Sequence, residues 1–227
     1  MLVYRQDNGV LRMQPRPQET TNYVRELFAG RVDKGGKPYY LHCINVMMRL
    51  GSDASDELRN AALLHDVLED TPVTAEDLLA RGYSKATVEA VQLVTRPSNA
   101  GRESYLEWIR RIAESGNEMA IRVKIADNED NLSPERIAAL PEQERSIGKR
   151  YQRSLDILRP ALAEIERRKQ QSSAMVIHLS FFATLLAVTT FFALLSFPVA
   201  IRVFLTGMLV YAVSHALHAV YRVAYGR

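Results

Sequence analysis

The stretch Ala61-Ala-Leu-Leu-His-Asp-Val-Leu-Glu-Asp70 sets four ionisable side chains in an otherwise apolar run. Ala61, Ala62, Leu63, Leu64, Val67 and Leu68 leave little of a helix here free to face water. His65, Asp66, Glu69 and Asp70 are costly to bury together unless they are paired or hold a metal ion. Helical spacing places His65 one turn before Glu69 and Asp66 one turn before Asp70. All four can therefore edge one cavity, with the His-Asp pair deeper. Thr71-Pro72 ends the helix, since the residue before a proline is pushed out of the α region. The chemistry these residues suggest is that of a metal site.

Two other places must then be brought to the same cavity. His42 falls in the first turn of a helix expected from Leu41 to about Leu50. Asp127 and Asn131 share one face, at i and i+4, of a helix expected from Met119 to about Leu132 and broken by Pro134.

The elements around them read as helices throughout. Residues 1–18, with Pro15 and Pro17, form an extended lead-in with room for a short strand. Glu19 to Gly30 reads as a helix with Tyr23, Leu27 and Phe28 inward, followed by the glycine-rich basic turn Arg31 to Tyr40. Asp53 or Ser55 caps a helix that starts at Asp56 and runs into the central stretch. Thr74 with Asp77 makes a capping box for a helix to about Ala80, and Ser84 caps another over 84–94. Arg96 to Glu103 is a polar loop of the kind that lies over an active site. Ser104 to Glu114 is amphipathic through Tyr105, Trp108, Ile109 and Ile112. A long polar helix is expected from 141 to about 171, with a stripe of Ile147, Tyr151, Leu155, Leu158, Leu162 and Ile165. No stretch alternates β-branched residues convincingly, so the fold class is all-α.

Composition narrows the partners. The 227 residues carry a formal net charge of +3, and no Lys/Arg run is interleaved with aromatics, so nucleic acid is not an expected partner. One cysteine, Cys43, excludes an internal disulfide and fits a reducing compartment. The first residues lack the basic-then-apolar build of a signal peptide, and none is expected. The mean hydropathy of −0.14 conceals a split: residues 1–171 are strongly charged, whereas 174–221 carry one charged side chain, Arg202.

The spaced set His42, His65-Asp66, Glu69-Asp70 and Asp127 with Asn131 resembles the HD-domain phosphohydrolases. The wording is closer to one branch. Gly-Lys-Pro-Tyr-Tyr-Leu-His42, Ala-Ala-Leu-Leu-His-Asp-Val-Leu-Glu-Asp-Thr71 and Val-Lys-Ile-Ala-Asp127-Asn-Glu-Asp-Asn131 resemble the hydrolase domain of RelA/SpoT-type alarmone enzymes and the small alarmone hydrolases. The likeness covers about residues 20–160. It implies an HD helical bundle, metal ligands His42, His65, Asp66 and Asp127, and Mn²⁺ as the usual ion. It also implies that Glu69 and Asp70 position or deprotonate the attacking water, and that Asn131 lies near metal and nucleotide. Arg31 and Tyr151 fall where substrate contacts lie in the family. Two departures stand out: Cys43 replaces the usual proline after the first His, and Asn128-Glu129-Asp130 replaces a more basic Arg-Leu-His. Those acids are expected to weaken nucleotide binding or change its specificity.

The chemistry stands beside the name. Two imidazoles and two carboxylates suit Mn²⁺, Fe²⁺ or Zn²⁺ better than Ca²⁺. Four protein ligands leave an ion that prefers six with positions for water and a phosphate oxygen. Glu69 is placed to act as general base, and Arg31, Lys34 and Lys37 could receive diphosphate charge. Plainer readings exist for each: a satisfied core histidine, the solvated end of a helix, a solvated basic turn. The joint occurrence of His42, His65, Asp66 and Asp127 favours the metal reading. Cys43 reads as a small buried hydrophobe, and Tyr105 and Trp108 as core.

Ala174 to Val199 is uncharged, Val203 to Tyr221 offers a second apolar stretch, and Phe197 to Arg202 supplies a turn between them. Glu166-Arg-Arg-Lys169 before the pair and Arg222 and Arg227 after it put both ends in the cytoplasm by the positive-inside rule. The resulting expectation is a lead-in (1–18), an HD domain (19–160), a helical linker (161–173) and a two-helix membrane hairpin (174–223). The catalytic domain would sit on the cytoplasmic side of the inner membrane, and a homo-oligomer is left open. The expected activity is hydrolysis of guanosine 3′,5′-bis(diphosphate) or its pentaphosphate to GDP or GTP and pyrophosphate. The alternatives are an HD hydrolase of another nucleotide (a deoxynucleotide or NADPH) and a non-catalytic membrane sensor of the alarmone.

Overall fold

The structure is a computed structural model. It describes residues 4–7, 10–96 and 104–194, and beyond them 206–208, 210, 211, 214, 215 and 218. The chain divides into two compact units, 1–163 and 164–227.

The first unit begins with an antiparallel pair of strands, β1 (Tyr4–Asp7) and β2 (Val10–Met13), with Tyr4 opposite Met13 and Asp7 opposite Val10. The extended lead-in is thus a short hairpin, ahead of a chain that is otherwise helical as its all-α reading expects. Among the described residues there follow α1 (Pro17–Leu27), α2 (Tyr40–Met48), α3 (Asp56–Leu64), α4 (Val67–Asp70), α5 (Ala75–Ala80), α6 (Lys85–Val94), α7 (Tyr105–Glu114), α8 (Glu118–Asn131) and α9 (Pro134–Ala139). A 3₁₀ turn at Glu142–Glu144 leads into α10 (Ile147–Leu194).

Local chemistry sets most of these ends. Ser55, Ser84, Ser104 and Asn117 each accept a backbone N–H of the helix they cap, and Thr74 with Asp77 closes a full capping box. Pro17 opens α1 and Pro134 opens α9, positions where the missing N–H costs nothing.

The core is built around α3, which packs on α1, α2, α6 and α8. Ala61, Ala62, Leu63 and Leu64 are fully buried, as their all-apolar run requires. Truncating a buried leucine of this kind costs about 2–5 kcal/mol. A buried chain of hydrogen bonds locks α1 to α3: Tyr83 donates to Thr20, Thr20 to the Asn60 carbonyl, and the Asn60 amide to Pro15 O.

The central stretch is not one helix. α3 stops at Leu64, Asp66 sits at φ −99°, ψ −2°, and α4 restarts at Val67. His65 causes part of this break, since its Nδ1–H takes the Ala62 carbonyl that a continuing helix would use. Residues after Pro134, read only as following a helix breaker, form α9, and the long helix expected from 141 starts at Ile147 because the 3₁₀ turn takes Glu142–Glu144. The polar loop after Arg96 lies outside the described residues from 97 to 103.

In the second unit α10 continues without interruption through the expected linker to Leu194. Met175, Ile177, Phe181, Phe182 and Leu186 on it are exposed. Among the described residues no helix is long and apolar enough to cross a membrane. The expected hairpin is therefore not found there. Its turn at 197–202 and most of its second arm lie outside the described residues.

Candidate metal centre and active site

Three separate elements converge on one point. His42 comes from the first turn of α2, His65 and Asp66 from the α3–α4 junction, and Asp127 from the last third of α8. His42 Nε2 lies 3.2 Å from Asp127 Oδ1 and 3.8 Å from Asp66 Oδ2. His65 Nε2 lies 3.0 Å from Asp66 Oδ2 and 3.7 Å from Asp127 Oδ1. The two imidazoles meet edge to face, with centroids 5.1 Å apart.

The protonation pattern shows what the point is for. His65 Nδ1 can only donate to the Ala62 carbonyl at 2.8 Å, and His42 Nδ1 can only donate to the Asp130 carboxylate at 2.8 Å. Once neutral, each ring turns an Nε2 lone pair toward carboxylate oxygens. His65 Nε2 is buried and makes no hydrogen bond. A lone pair against two carboxylates is repulsive until a cation or proton lies between them. His42, His65 and Asp66 meet the proximity expected of ligands to one ion, and Asp127 Oδ1 lies beside them, 3.2 Å from His42 Nε2. The donor set therefore fits a divalent metal.

Further groups hold the carboxylates. Tyr39 donates its hydroxyl to Asp66 Oδ2 at 2.6 Å. Lys124 donates to Asp127 Oδ2 at 2.7 Å, and Asn131 Nδ2 to Asp127 Oδ1 at 2.6 Å. Burial pulls the His42 imidazole down, but the carboxylates of Asp127 and Asp130 outweigh it and bring it to about 9 in the metal-free site. Burial opposes ionisation of Asp66 and Asp127. His65 beside the first and Lys124 beside the second outweigh it, so both carboxyls lie below the usual range.

A pocket of about 420 Å³ opens from this centre. Glu69 lines it, and its Oε2 accepts the Arg96 backbone N–H at 3.1 Å. Burial lifts the Glu69 carboxyl above the usual range, and the Asp66 charge adds to this. Asp70 faces elsewhere: Arg31 donates to its carbonyl and to its Oδ1, both at 2.7 Å, and stacks over the Tyr39 ring. The expected Glu-Asp pair is thus split, one on the wall and one bound to arginine.

Arg31, Lys34, Asn131 and Tyr151 all line the pocket. The Lys34 ammonium is paired with Glu144 of the 3₁₀ turn. Asn131 accepts a hydrogen bond from Arg136, which also reaches Asp33. Gly35 packs so closely on α9 that an added Cβ would lie 2.9 Å from that of Ala139. Tyr151 meets Tyr105 edge to face at 6.4 Å, and the Arg150 guanidinium stands over both rings. Tyr105 and Trp108, read as core, also edge the pocket.

Sequence reasoning passed over Tyr39 and Lys124, and set Asp130 against the nucleotide rather than behind His42. Each sits in a motif already quoted, and Tyr39 and Lys124 precede His42 and Asp127 by three residues, one turn on a helix. The Asn128-Glu129-Asp130 departure also points away from the pocket. Asn128 is buried between Tyr105 and Ser154, Glu129 pairs with Arg159, and Asp130 lies behind His42. Cys43 is fully buried, and burial raises its thiol.

No protein-family model matches the chain. Curated relatives do. A guanosine-3′,5′-bis(diphosphate) 3′-pyrophosphohydrolase of Aquifex aeolicus is 31% identical over 121 residues, 51% of this chain and 17% of the relative. One of Vibrio cholerae is 31% identical over 134 residues, 56% of this chain and 19% of the relative. The bifunctional (p)ppGpp synthase/hydrolase SpoT of Escherichia coli is 30% identical over 118 residues, 48% of this chain and 16% of the relative. The chain thus spans less than a fifth of the length of these relatives. Among solved structures, a metazoan ortholog of SpoT that hydrolyses ppGpp superposes with a TM-score of 0.50 at 24% identity, covering 67% of this chain and 94% of that one. The relatives match about half of this chain by sequence, and the solved structure shares its fold over two thirds of it.

Proposed function

We propose that the chain hydrolyses guanosine 3′,5′-bis(diphosphate), or the pentaphosphate, releasing pyrophosphate from the 3′ position and leaving GDP or GTP. The observation that carries this is the convergence of two Nε2 lone pairs and two carboxylates at the end of a pocket lined by cations and aromatic rings. The relatives named as pyrophosphohydrolases of this nucleotide support the substrate.

His42, His65, Asp66 and Asp127 would hold the ion, with Mn²⁺ as the metal of this proposal and Fe²⁺ or Zn²⁺ as substitutes. When bound, such an ion lowers the pKa of a water and polarises a phosphoryl oxygen. The chain's own groups do the rest. Glu69, lifted by burial toward neutrality, takes the proton of the attacking water. Asp70 and the Tyr39 ring hold the Arg31 guanidinium at the pocket edge, where it binds phosphate oxygens. Lys34, once released from Glu144, adds a second cation. Asn131 and Tyr151 contact the nucleotide, with Tyr105, Tyr151 and Arg150 offering a stacking wall for the base.

The tail belongs to the same proposal: the apolar C-terminal residues seat the protein at the cytoplasmic face of the inner membrane. The exposed Met175, Ile177, Phe181, Phe182 and Leu186 support it. Co-sedimentation of the full chain, but not of residues 1–171, with anionic lipid vesicles tests this part.

For the activity, the full chain is incubated with guanosine tetraphosphate and Mn²⁺. GDP and pyrophosphate should appear in equal amounts and stop on chelation. Turnover of a deoxynucleotide or NADPH in place of the alarmone would move the proposal to another nucleotide.

A further inference from the structure

Asp130 does not line that pocket, yet it is among the most buried charged side chains of the described residues, 2% exposed. A carboxylate so placed needs strong partners. It has three, on three sides. Its Oδ2 accepts the His42 Nδ1–H at 2.8 Å, its Oδ1 accepts the Arg49 Nε–H at 3.2 Å, and Arg136 Nε stands 3.7 Å from Oδ2. Arg49 follows the end of α2, Asp130 lies on α8, and Arg136 on α9. Arg136 also donates to Asn131 and Asp33, so the carboxylate is fixed by a guanidinium that is itself held at two further points.

We infer that Asp130 is a positioning residue for the metal centre: through Nδ1–H it fixes the tautomer and the ring plane of His42, so that Nε2 points at the site shared with His65, Asp66 and Asp127. The inference rests on the metal reading above. A ligating imidazole needs an acceptor at its other nitrogen, or the wrong nitrogen carries the proton. His65 meets that need with a backbone carbonyl, Ala62 O, which no side-chain change can remove. His42 meets it with a side chain, so its orientation depends on residue 130. The acid at this position then serves the metal from behind, and Arg49 and Arg136 offset its charge.

A purely structural role, an ion-pair junction between three helices, is the competing explanation, and the test separates the two. Mn²⁺ affinity of the full chain is read from the free-ion electron paramagnetic resonance signal for the parent, Asp130→Ala and Asp130→Asn. Long-range ¹⁵N–¹H spectra of the Zn²⁺-loaded parent report which His42 nitrogen carries the proton, and melting of the metal-free proteins reports stability. The expected parent has Nδ1 protonated and Nε2 on the metal. Asp130→Ala should bind Mn²⁺ 10–100-fold more weakly. Asp130→Asn, whose carbonyl still accepts Nδ1–H, should recover most of that loss, although it weakens the same ion pairs. Equal Mn²⁺ affinity in parent and Asp130→Ala overturns the inference, as does metal on Nδ1 in the parent or equal losses in both variants. Should Asp130→Ala not fold, the parent spectrum and the Asn variant decide alone. A parent that takes up no metal overturns the metal reading itself, a different result from a parent that binds and a variant that binds as well.

Discussion

Lys124 Nζ lies 2.7 Å from Asp127 Oδ2, one turn before it on α8, and leaves Oδ1 turned toward both imidazoles. The ammonium is nearly buried and also stands 4.6 Å over the Trp108 ring. Lys124 therefore holds one oxygen of the carboxylate with a fixed charge, while the other, which accepts from Asn131, faces the imidazoles.

Removing that charge leaves Asp127 buried beside an empty metal site. Lys124→Met is expected to destabilise the metal-free protein by about 3 kcal/mol, the usual scale for breaking a buried ion pair. Saturating Mn²⁺ should recover part of the loss, because the ion supplies positive charge to the same carboxylate. Denaturant melts with and without Mn²⁺ check this; identical losses in both would show that Asp127 and the ion do not interact.

The site also sets a pH dependence. Metal-free His42 sits at about 9 against an ordinary 6.5. Its contribution to stability is complete below pH 6.5 and is lost as pH rises through 9. Asp66 and Asp127, both held below 3.8, contribute above that pH and lose their contribution as acid protonates them. Metal uptake must displace the His42 proton, so Mn²⁺ affinity should rise about tenfold per pH unit between 7 and 9. Titrations at pH 7 and pH 8 measure it, and a flat profile would count against His42 as a ligand.

Much of this was legible in the sequence, because the signals were local. The capping residues Thr74 and Ser84 placed helix starts to the residue, since a cap acts on its own next turn. The apolar run 61–64 identified the central helix because nothing polar interrupted it. The break after Leu64 escaped although it is local, since it involves His65 turning back on Ala62 rather than a helix breaker. The rest of what escaped depends on partners far along the chain. The separation of Asp70 from Glu69 depends on Arg31, 39 residues away, and Asp130 faces His42 across 88 positions. Spacing puts Glu69 and Asp70 side by side but says nothing about which long-range cation claims one of them.

Arg31 and Asp70 should behave as one unit. Arg31→Ala is half-exposed in its parent form, so its effect on stability should be small, under about 1 kcal/mol. Its effect on substrate KM should be about tenfold, and Asp70→Ala should do nearly the same. The double variant should then fall well short of the product of the two, as expected for contacting residues. Additive losses would mean that Asp70 acts on the reaction independently.

The Lys34–Glu144 pair is on the surface, with 62% and 45% of the two side chains exposed. Breaking it should cost under about 1 kcal/mol. If Lys34 turns to the nucleotide, Lys34→Ala raises KM while Glu144→Ala lowers it or leaves it unchanged, by freeing the ammonium. Parallel increases in both variants would mark the pair as a strut between the glycine-rich turn and the 3₁₀ turn.

The most direct measurement follows pyrophosphate release from guanosine tetraphosphate by the full chain in Mn²⁺, alongside Asp66→Ala and Glu69→Gln, with bound metal determined for each. The account predicts turnover by the parent, loss of both metal and turnover in Asp66→Ala, and retained metal in Glu69→Gln with turnover reduced about 10²–10⁴-fold. A parent that binds Mn²⁺ but releases no pyrophosphate would contradict the proposed reaction. A Glu69→Gln protein as active as the parent would contradict the assigned base.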